Sequence, residues 1–185
     1  MATTQMVTPW LLLIYTVPRI PSRKRAAVWR DLKKVGAVYL RDGVCVLPTR
    51  DDTTAAIERI AAKVRAFEGQ ATIIAAASLD PETIAVIVAE ARAARMSEYA
   101  ELSHEVGNFL AHVEREHEHR ELTFAELEEL EADLDKLRRW FEQVRARDYF
   151  GVEDAHTRIM ALLNRGDEAL AGFLDEVYLD QERPT

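Results

Sequence analysis

Six positively charged side chains precede and follow the start of a short helical segment near the N-terminus, and their chemistry suits binding of phosphate. They are Arg19, Arg23, Lys24, Arg30, Lys33 and Lys34. On a helical wheel Val28, Leu32 and Val35 share one face, which we expect to meet a sheet. Three of the basic residues, Arg23, Arg30 and Lys34, fall together on the opposite side of that helix.

Small residues lie within this basic face, since Ala26 and Ala27 are on or beside it. A basic stripe around small side chains is what a helix needs to lie along the phosphate backbone of double-stranded DNA. The alternative is a solvated face that meets Asp31 or acidic residues of the second half. A small inorganic oxyanion such as sulfate is a further, lower-ranked ligand.

A second candidate is a metal site, because Glu-x-x-His pairs hold the metals of carboxylate-bridged helical bundles. The pairs present are Glu101/His104, Glu114/His117, Glu116/His119 and Glu153/His156. Such ligands must project inward, but a helix with Leu102 and Val106 in its core turns Glu101 and His104 outward. We therefore expect no metal and no cofactor, and a metal-binding helical protein is the weakest of three hypotheses.

Enzymatic motifs are missing from the sequence. It has no Gly-x-Ser-x-Gly, no P-loop and no Gly-x-Gly-x-x-Gly, so we expect no enzymatic activity. The single cysteine, Cys45, lies in an apolar run and is expected to be a buried small hydrophobe. No stretch approaches the 18 or so apolar residues of a membrane span, and the chain is expected to be cytoplasmic.

The charge is distributed unevenly along the 185 residues, whose formal net charge is −8. Residues 1–80 contain 12 Lys+Arg and 7 Asp+Glu, whereas residues 81–185 contain 12 Lys+Arg and 25 Asp+Glu. This asymmetry favours an anionic partner for the basic part. It also supports an alternative function, a protein-interaction module in which the acidic part docks a partner and no nucleic acid is involved.

The elements that must position the basic residues follow the order β-α-β-β-α-β over residues 1–79. Ser22 is expected to cap the first helix, which ends at Gly36, and Asp42-Gly43 predicts a tight hairpin. A second helix starts at Asp51. This order predicts a ferredoxin-like domain, with two helices on one face of a four-stranded antiparallel sheet.

Residues 80–185 are predicted to form an antiparallel bundle of about three helices, so the fold class is α+β. Asp80 and Thr123 are expected caps of the first and second of these helices, and Gly166 is expected to kink or break the third. We expect five aromatic residues to be core or packing residues and not a binding patch. They are Trp29, Trp140, Phe141, Tyr149 and Phe150.

Several segments resemble the N-terminal domain of the ChrB regulators of chromate resistance. They are Trp10–Leu13 with Tyr15 and Pro18, Leu40–Val44, Leu47-Pro48, Ala125–Glu128, Asp133-Leu134, Leu137–Trp140 and Arg145–Asp148. The resemblance implies a DNA-binding transcriptional regulator, for which we expect a homodimer and the operator of a chromate-resistance operon as partner. The six basic residues would then contact DNA phosphates.

The β-α-β-β portion also resembles the middle domain of PaaX-type repressors and the small nuclease-like integration subunit of CRISPR systems. In the nuclease-like family the first strand ends in Tyr-Asp, with the aspartate a metal ligand, but here the residues are Tyr15-Thr16. This chain therefore lacks the central metal ligand of that family, and we do not expect it to be a metal-dependent nuclease. Full-length ChrB regulators continue into a second domain tied to the chromate response, so we do not expect this chain to sense chromate alone.

Overall fold

The chain folds as an α+β protein, as the sequence predicted. The computed structural model describes residues 9–120 and 122–181, apart from the side chains of Glu153 and Gln181. The elements in chain order are β1 (Trp10–Thr16), α1 (Ser22–Lys34), β2 (Val38–Arg41), β3 (Val44–Pro48), α2 (Asp51–Ala66), β4 (Gln70–Ala76), α3 (Pro81–His119), α4 (Phe124–Ala146) and α5 (Glu153–Gln181).

The first four strands form one antiparallel sheet in the order β2-β3-β1-β4. This is the strand order of the ferredoxin-like fold, and the prediction is confirmed. Helix α2 packs on β1, on β4 and on α1. Because side chains alternate along a strand, Leu11 and Leu13 of β1 are buried on one face while Ile14 is exposed on the other.

Helix α1 begins one residue earlier than predicted. Ser22 is already helical and Pro21 occupies the cap position without a side-chain cap, so the predicted capping by Ser22 is wrong. The backbone supplies the bond instead, since the Lys24 amide donates to the Pro21 carbonyl over 3.1 Å. The predicted end is confirmed, because Gly36 follows the helix in the left-handed region at φ 71°.

The predicted hairpin joins β2 to β3, and Gly43 is the residue that makes it possible. Its φ is 73°, and its carbonyl accepts a hydrogen bond of 2.7 Å from the amide of Tyr15 on β1. A Cβ atom at this position would lie 2.5 Å from the Tyr15 carbonyl oxygen. The turn therefore needs glycine both for its backbone conformation and for the close approach of β1.

Replacing this glycine is expected to destabilise the fold. We expect Gly43→Ala to lower the free energy of unfolding by about 2 kcal/mol, since it combines a left-handed residue with a backbone clash. Gly107→Ala on α3 is the control, because nothing lies within 4 Å of its added Cβ. That variant should be about 1 kcal/mol more stable than wild type. Urea unfolding followed by circular dichroism measures both free energies of unfolding. A Gly43→Ala variant with the same urea midpoint as wild type would contradict the role of Gly43.

Helices α3, α4 and α5 share one apolar core. Its buried members are Tyr99, Leu102, Val106, Phe109, Val113, Leu127, Leu130, Leu134, Phe141, Val144, Ile159, Leu163, Phe173 and Val177. The packing of three helices that the sequence predicts for residues 80–185 is therefore confirmed. Neighbouring helices are antiparallel, since Tyr99 of α3 approaches Phe141 late in α4, and Phe124 early in α4 approaches Tyr178 late in α5.

The predicted caps of α3 and α4 are present. The Asp80 carboxylate accepts from the Thr83 amide over 2.9 Å, and the Thr123 hydroxyl accepts from the Glu126 amide over 3.1 Å. At both helices a side-chain oxygen thus satisfies an amide that has no partner within the helix.

The expected break at Gly166 is wrong, because α5 continues through this residue. A Cβ atom there would lie 2.9 Å from Leu134 Cδ1 and 3.3 Å from Phe109 Cε1. Gly166 therefore lies at a close approach of α5 to both α3 and α4. Packing against neighbours overrides the weak helix propensity of glycine.

The chain divides into two compact units, residues 1–93 and 94–185. Helix α3 begins in the first unit, at Pro81, and continues into the second. The sequence-based boundary at residue 80 coincides with the start of this helix. Within the described ranges, no helix combines the length and the apolar character that crossing a membrane requires.

Candidate nucleic-acid interface

The orientation of α1 leaves a row of cations in solvent. Val28 and Leu32 are fully buried beneath the helix, as predicted. Five of the six predicted basic residues are exposed, and we refer to them together as the basic stripe. They are Arg19, Arg23, Arg30, Lys33 and Lys34.

No carboxylate in the described part of the chain pairs with the basic stripe. Within residues 9–120 and 122–181, none of its five side chains forms an ion pair of 4 Å or less. Arg30 Nε donates to the Ala26 carbonyl of the same helix over 3.3 Å. Lys33 Nζ lies 5.9 Å from the ring centroids of both Trp29 and Tyr39. These contacts orient two of the cations without removing their charge.

Lys24 is the exception among the six predicted residues. Its Nζ lies 3.3 Å from Glu68 Oε2, donates to the Phe67 carbonyl over 3.4 Å and lies 5.7 Å from the Phe67 ring centroid. Its side chain is only 23% exposed. On the helical wheel Lys24 lies beside buried Val28, so its side chain ties α1 to the end of α2. The structure therefore does not place Lys24 in the basic stripe.

Asp31, the acidic residue that could have neutralised the stripe, is engaged elsewhere. Its Oδ2 accepts a hydrogen bond of 2.7 Å from Lys63 Nζ on α2. This pair bridges the two helices on the side of α1 that faces α2. Since one carboxylate and one ammonium compensate each other there, the charge of the stripe is unaffected by Asp31.

Two residues next to the stripe were missed by sequence reasoning. Trp29 was expected to be a packing residue, but its side chain is 52% exposed, so that expectation is wrong. Its place on the wheel, between the buried face and Lys33, could have indicated this. Arg25 is also exposed and adds a cation near the start of α1. An exposed indole beside cations can stack on a base or a sugar.

The segment Arg145–Asp148, which carries part of the family resemblance, belongs to a buried charge network in the second unit. Arg147 Nε donates to Glu98 Oε2 over 3.2 Å, and Arg95 contacts Glu98 Oε1 over 3.1 Å. Burial lowers the pKa of Arg95. Because both guanidinium groups already meet Glu98, this cluster fastens α3 to the end of α4 and is not an anion site.

Tyr99 and Asp148 extend the same network. The Tyr99 hydroxyl donates to Asp148 Oδ2 over 3.4 Å, and the Val152 amide donates to the same oxygen over 3.0 Å. Burial, aided by the negative charge of Asp148, raises the pKa of Tyr99 to about 12. The phenol therefore stays protonated at neutral pH and remains a donor. Of these residues only Asp148 belongs to a segment that carries the resemblance, and the sequence alone assigned it no role.

The Glu-x-x-His pairs whose side chains the structure describes do not converge on one site. Glu101 and His104 are both exposed on α3. His117 Nδ1 lies 2.9 Å from Glu176 on α5, and so pairs with a residue outside its motif. The Glu153 side chain lies outside the described part of the chain. Among the described residues, no Glu-x-x-His pair supplies a cluster of three ligand side chains.

Cys45 is fully buried in β3, as predicted. Burial raises the pKa of its thiol to about 12. The thiolate is therefore scarce at neutral pH, and Cys45 serves the packing of the sheet and is not a reactive group.

Comparison with known proteins identifies the family of the chain. The model of the family described as Protein ChrB, N-terminal, matches residues 25–184. The chain is also similar to Protein ChrB of Cupriavidus metallidurans (strain ATCC 43123 / DSM 2839 / NBRC 102507 / CH34), with 33% identity over 96 residues. Those residues are 51% of this chain and 28% of that relative's length. No solved structure matches the chain.

Proposed function

The chain belongs to the ChrB N-terminal family, and from this premise we propose that it is the DNA-binding module of a regulator of chromate resistance. The observation that carries the proposal is the basic stripe on α1, exposed and without a carboxylate partner in the described part of the chain. The proposed module is cytoplasmic and non-enzymatic. Its partner is double-stranded operator DNA of a chromate-resistance operon.

The stripe has the dimensions of a phosphate-binding surface. A helix of 13 residues extends about 20 Å, so α1 can follow several phosphates along one strand. Contacts of this kind fix the position of a protein on the duplex but carry no base sequence. In this proposal Trp29 and Arg25, which flank the stripe, are the residues that contact the sugars or bases of the DNA.

Regulators of this kind commonly bind as twofold-symmetric dimers, and we propose a homodimer here. The sheet offers a surface for it, since the face opposite α2 exposes Ile14, Leu40 and Ile74. These residues are apolar, so burying them between two copies of the sheet would stabilise a dimer. Analytical ultracentrifugation of wild type and Ile14→Asp/Ile74→Asp tests this part, and a monomeric wild type would contradict it.

A second function keeps some support. Residues 81–185 contain 25 Asp+Glu against 12 Lys+Arg, and a negative surface of that size repels DNA. Such a surface would suit a protein-interaction module with a basic partner. The two functions differ in one observable property, because only the DNA-binding module binds a duplex with a steep dependence on salt.

A DNA titration of the full chain tests the proposal. The duplex is taken from upstream of the chain's own gene, with an unrelated duplex of equal length as control, both with and without chromate. Five phosphate contacts per copy give a slope of log affinity against log salt of about −4.5 for each copy bound, or about −9 for the proposed dimer. Tighter binding to the upstream duplex with such a slope supports the function. Absence of binding at 50 mM salt rejects it and leaves the interaction module, which a native pull-down then tests.

A further inference from the structure

We propose that His112, Glu116 and Glu126 form a binding site for one divalent transition-metal cation of the Zn²⁺ type in the second unit. His112 and Glu116 come from the last part of α3, and Glu126 comes from the first turn of α4. One ligand atom from each of the three side chains lies within 4.8 Å of the others. The site does not use a Glu-x-x-His pair, so it departs from the expectation that the sequence supports.

The spacing of the ligand atoms fits a tetrahedral centre. His112 Nε2 lies 3.2 Å from Glu116 Oε1 and 3.8 Å from Glu126 Oε1. Zinc binds imidazole nitrogen and carboxylate oxygen at about 2.0–2.2 Å, which places two tetrahedral ligands about 3.4 Å apart. The side chains therefore need only small movements to surround an ion. Water would occupy the fourth position.

The helical positions of the residues favour this convergence. His112 and Glu116 are four residues apart on α3, the same separation that puts both histidines of His-Glu-x-x-His on one face of a helix. The antiparallel neighbour α4 supplies the third ligand from its own start. A bound ion would fasten the α3–α4 connection at this end of the bundle, in addition to the packed core.

Burial gives the site a reason to hold a cation. The side chains of His112, Glu116 and Glu126 are 30%, 15% and 20% exposed. Two carboxylates drawn partly out of water beside one imidazole are stabilised by a metal cation among them. His112 also borders an open cavity of about 440 Å³ between α3 and α4, which provides a path for the ion.

Zinc titration of the full chain, freed of any histidine tag, tests the site by isothermal calorimetry. We expect one Zn²⁺ per chain, with micromolar or tighter affinity, and a rise in melting temperature when Zn²⁺ is added. His112→Ala should weaken Zn²⁺ binding by more than about 100-fold. Mutation of residues that only hydrogen-bond to a metal ligand already lowers metal affinity by about 10- to 100-fold, and His112 is itself a proposed ligand. Glu126→Gln should do the same while keeping the size of the side chain.

His117→Ala is the matched control. This histidine lies on the same helix but pairs with Glu176, at 2.9 Å, and does not belong to the His112 cluster. The control should bind Zn²⁺ as wild type does. Circular dichroism checks that each variant is folded, and Glu116→Gln provides a further test of the ligand set if either of the other variants unfolds. Absence of stoichiometric Zn²⁺ binding, or equal binding by His112→Ala and wild type, would overturn the proposal.

Discussion

The variant Arg23→Ala/Arg30→Ala/Lys34→Ala is expected to bind duplex DNA on the order of 10²-fold more weakly per bound copy than wild type at 0.1 M salt. Each phosphate contact releases bound counterions, and the loss of three removes that contribution from the binding free energy. All three side chains are exposed and lie on one face of α1. Their removal therefore leaves the packing of Val28 and Leu32 in place. Fluorescence anisotropy of a labelled duplex measures the affinity of both proteins for DNA.

A control of equal charge separates local contact from overall charge. Arg115→Ala/Arg139→Ala/Arg158→Ala removes three exposed arginines from the helices of the second unit. Its net charge changes by the same amount as that of the first variant. We expect less than a threefold change in DNA affinity. Equal losses in both triple variants would mean that DNA responds to net charge alone, and the assignment to α1 would be abandoned.

The largest effect on stability is expected from Glu98→Gln, which should lower the free energy of unfolding by about 3 kcal/mol. Glu98 compensates two guanidinium groups, those of Arg95 and Arg147, whose side chains are only 8% and 14% exposed. Glutamine keeps the shape of the side chain but removes the charge. Two nearly buried cations then lack their common carboxylate. Chemical denaturation measures the resulting decrease in the free energy of unfolding.

The same substitution at an exposed position provides the comparison. Glu142 pairs with Arg145 over 2.8 Å, with both side chains more than half exposed. We expect Glu142→Gln to change the free energy of unfolding by less than about 0.5 kcal/mol, because water screens such pairs. A small effect at both positions would show that the Arg95–Glu98–Arg147 network does not support the fold.

Local patterns were sufficient to predict most of the fold. The Asp42-Gly43 turn, the end of α1 at Gly36 and the cap at Asp80 each depend on neighbouring residues alone, and each appears in the structure. Gly166 was wrongly predicted because its local signal, weak helix propensity, is overridden by contact with Leu134 and Phe109. Those partners are distant in sequence and cannot be found from periodicity.

The candidate site was predicted in part for the same reason. The helical wheel correctly predicted that Arg23, Arg30 and Lys34 are exposed, because this prediction requires only the positions of the buried residues on the same helix. It could not show that Lys24 meets Glu68 beyond the end of α2, because that contact depends on how two helices pack. The cluster around His112 was missed likewise, since its third ligand comes from another helix.

The dependence of DNA affinity on salt, measured for wild type and for the α1 triple variant, tests the central claim most directly. It reports the number of phosphates contacted and does not depend on how tightly either protein binds. If α1 lies along the DNA backbone, the slope of log affinity against log salt becomes less steep in the variant by about 2.7 for each copy bound, or about 5.4 for a dimer. Identical slopes for the two proteins would show that the cations of α1 do not touch DNA.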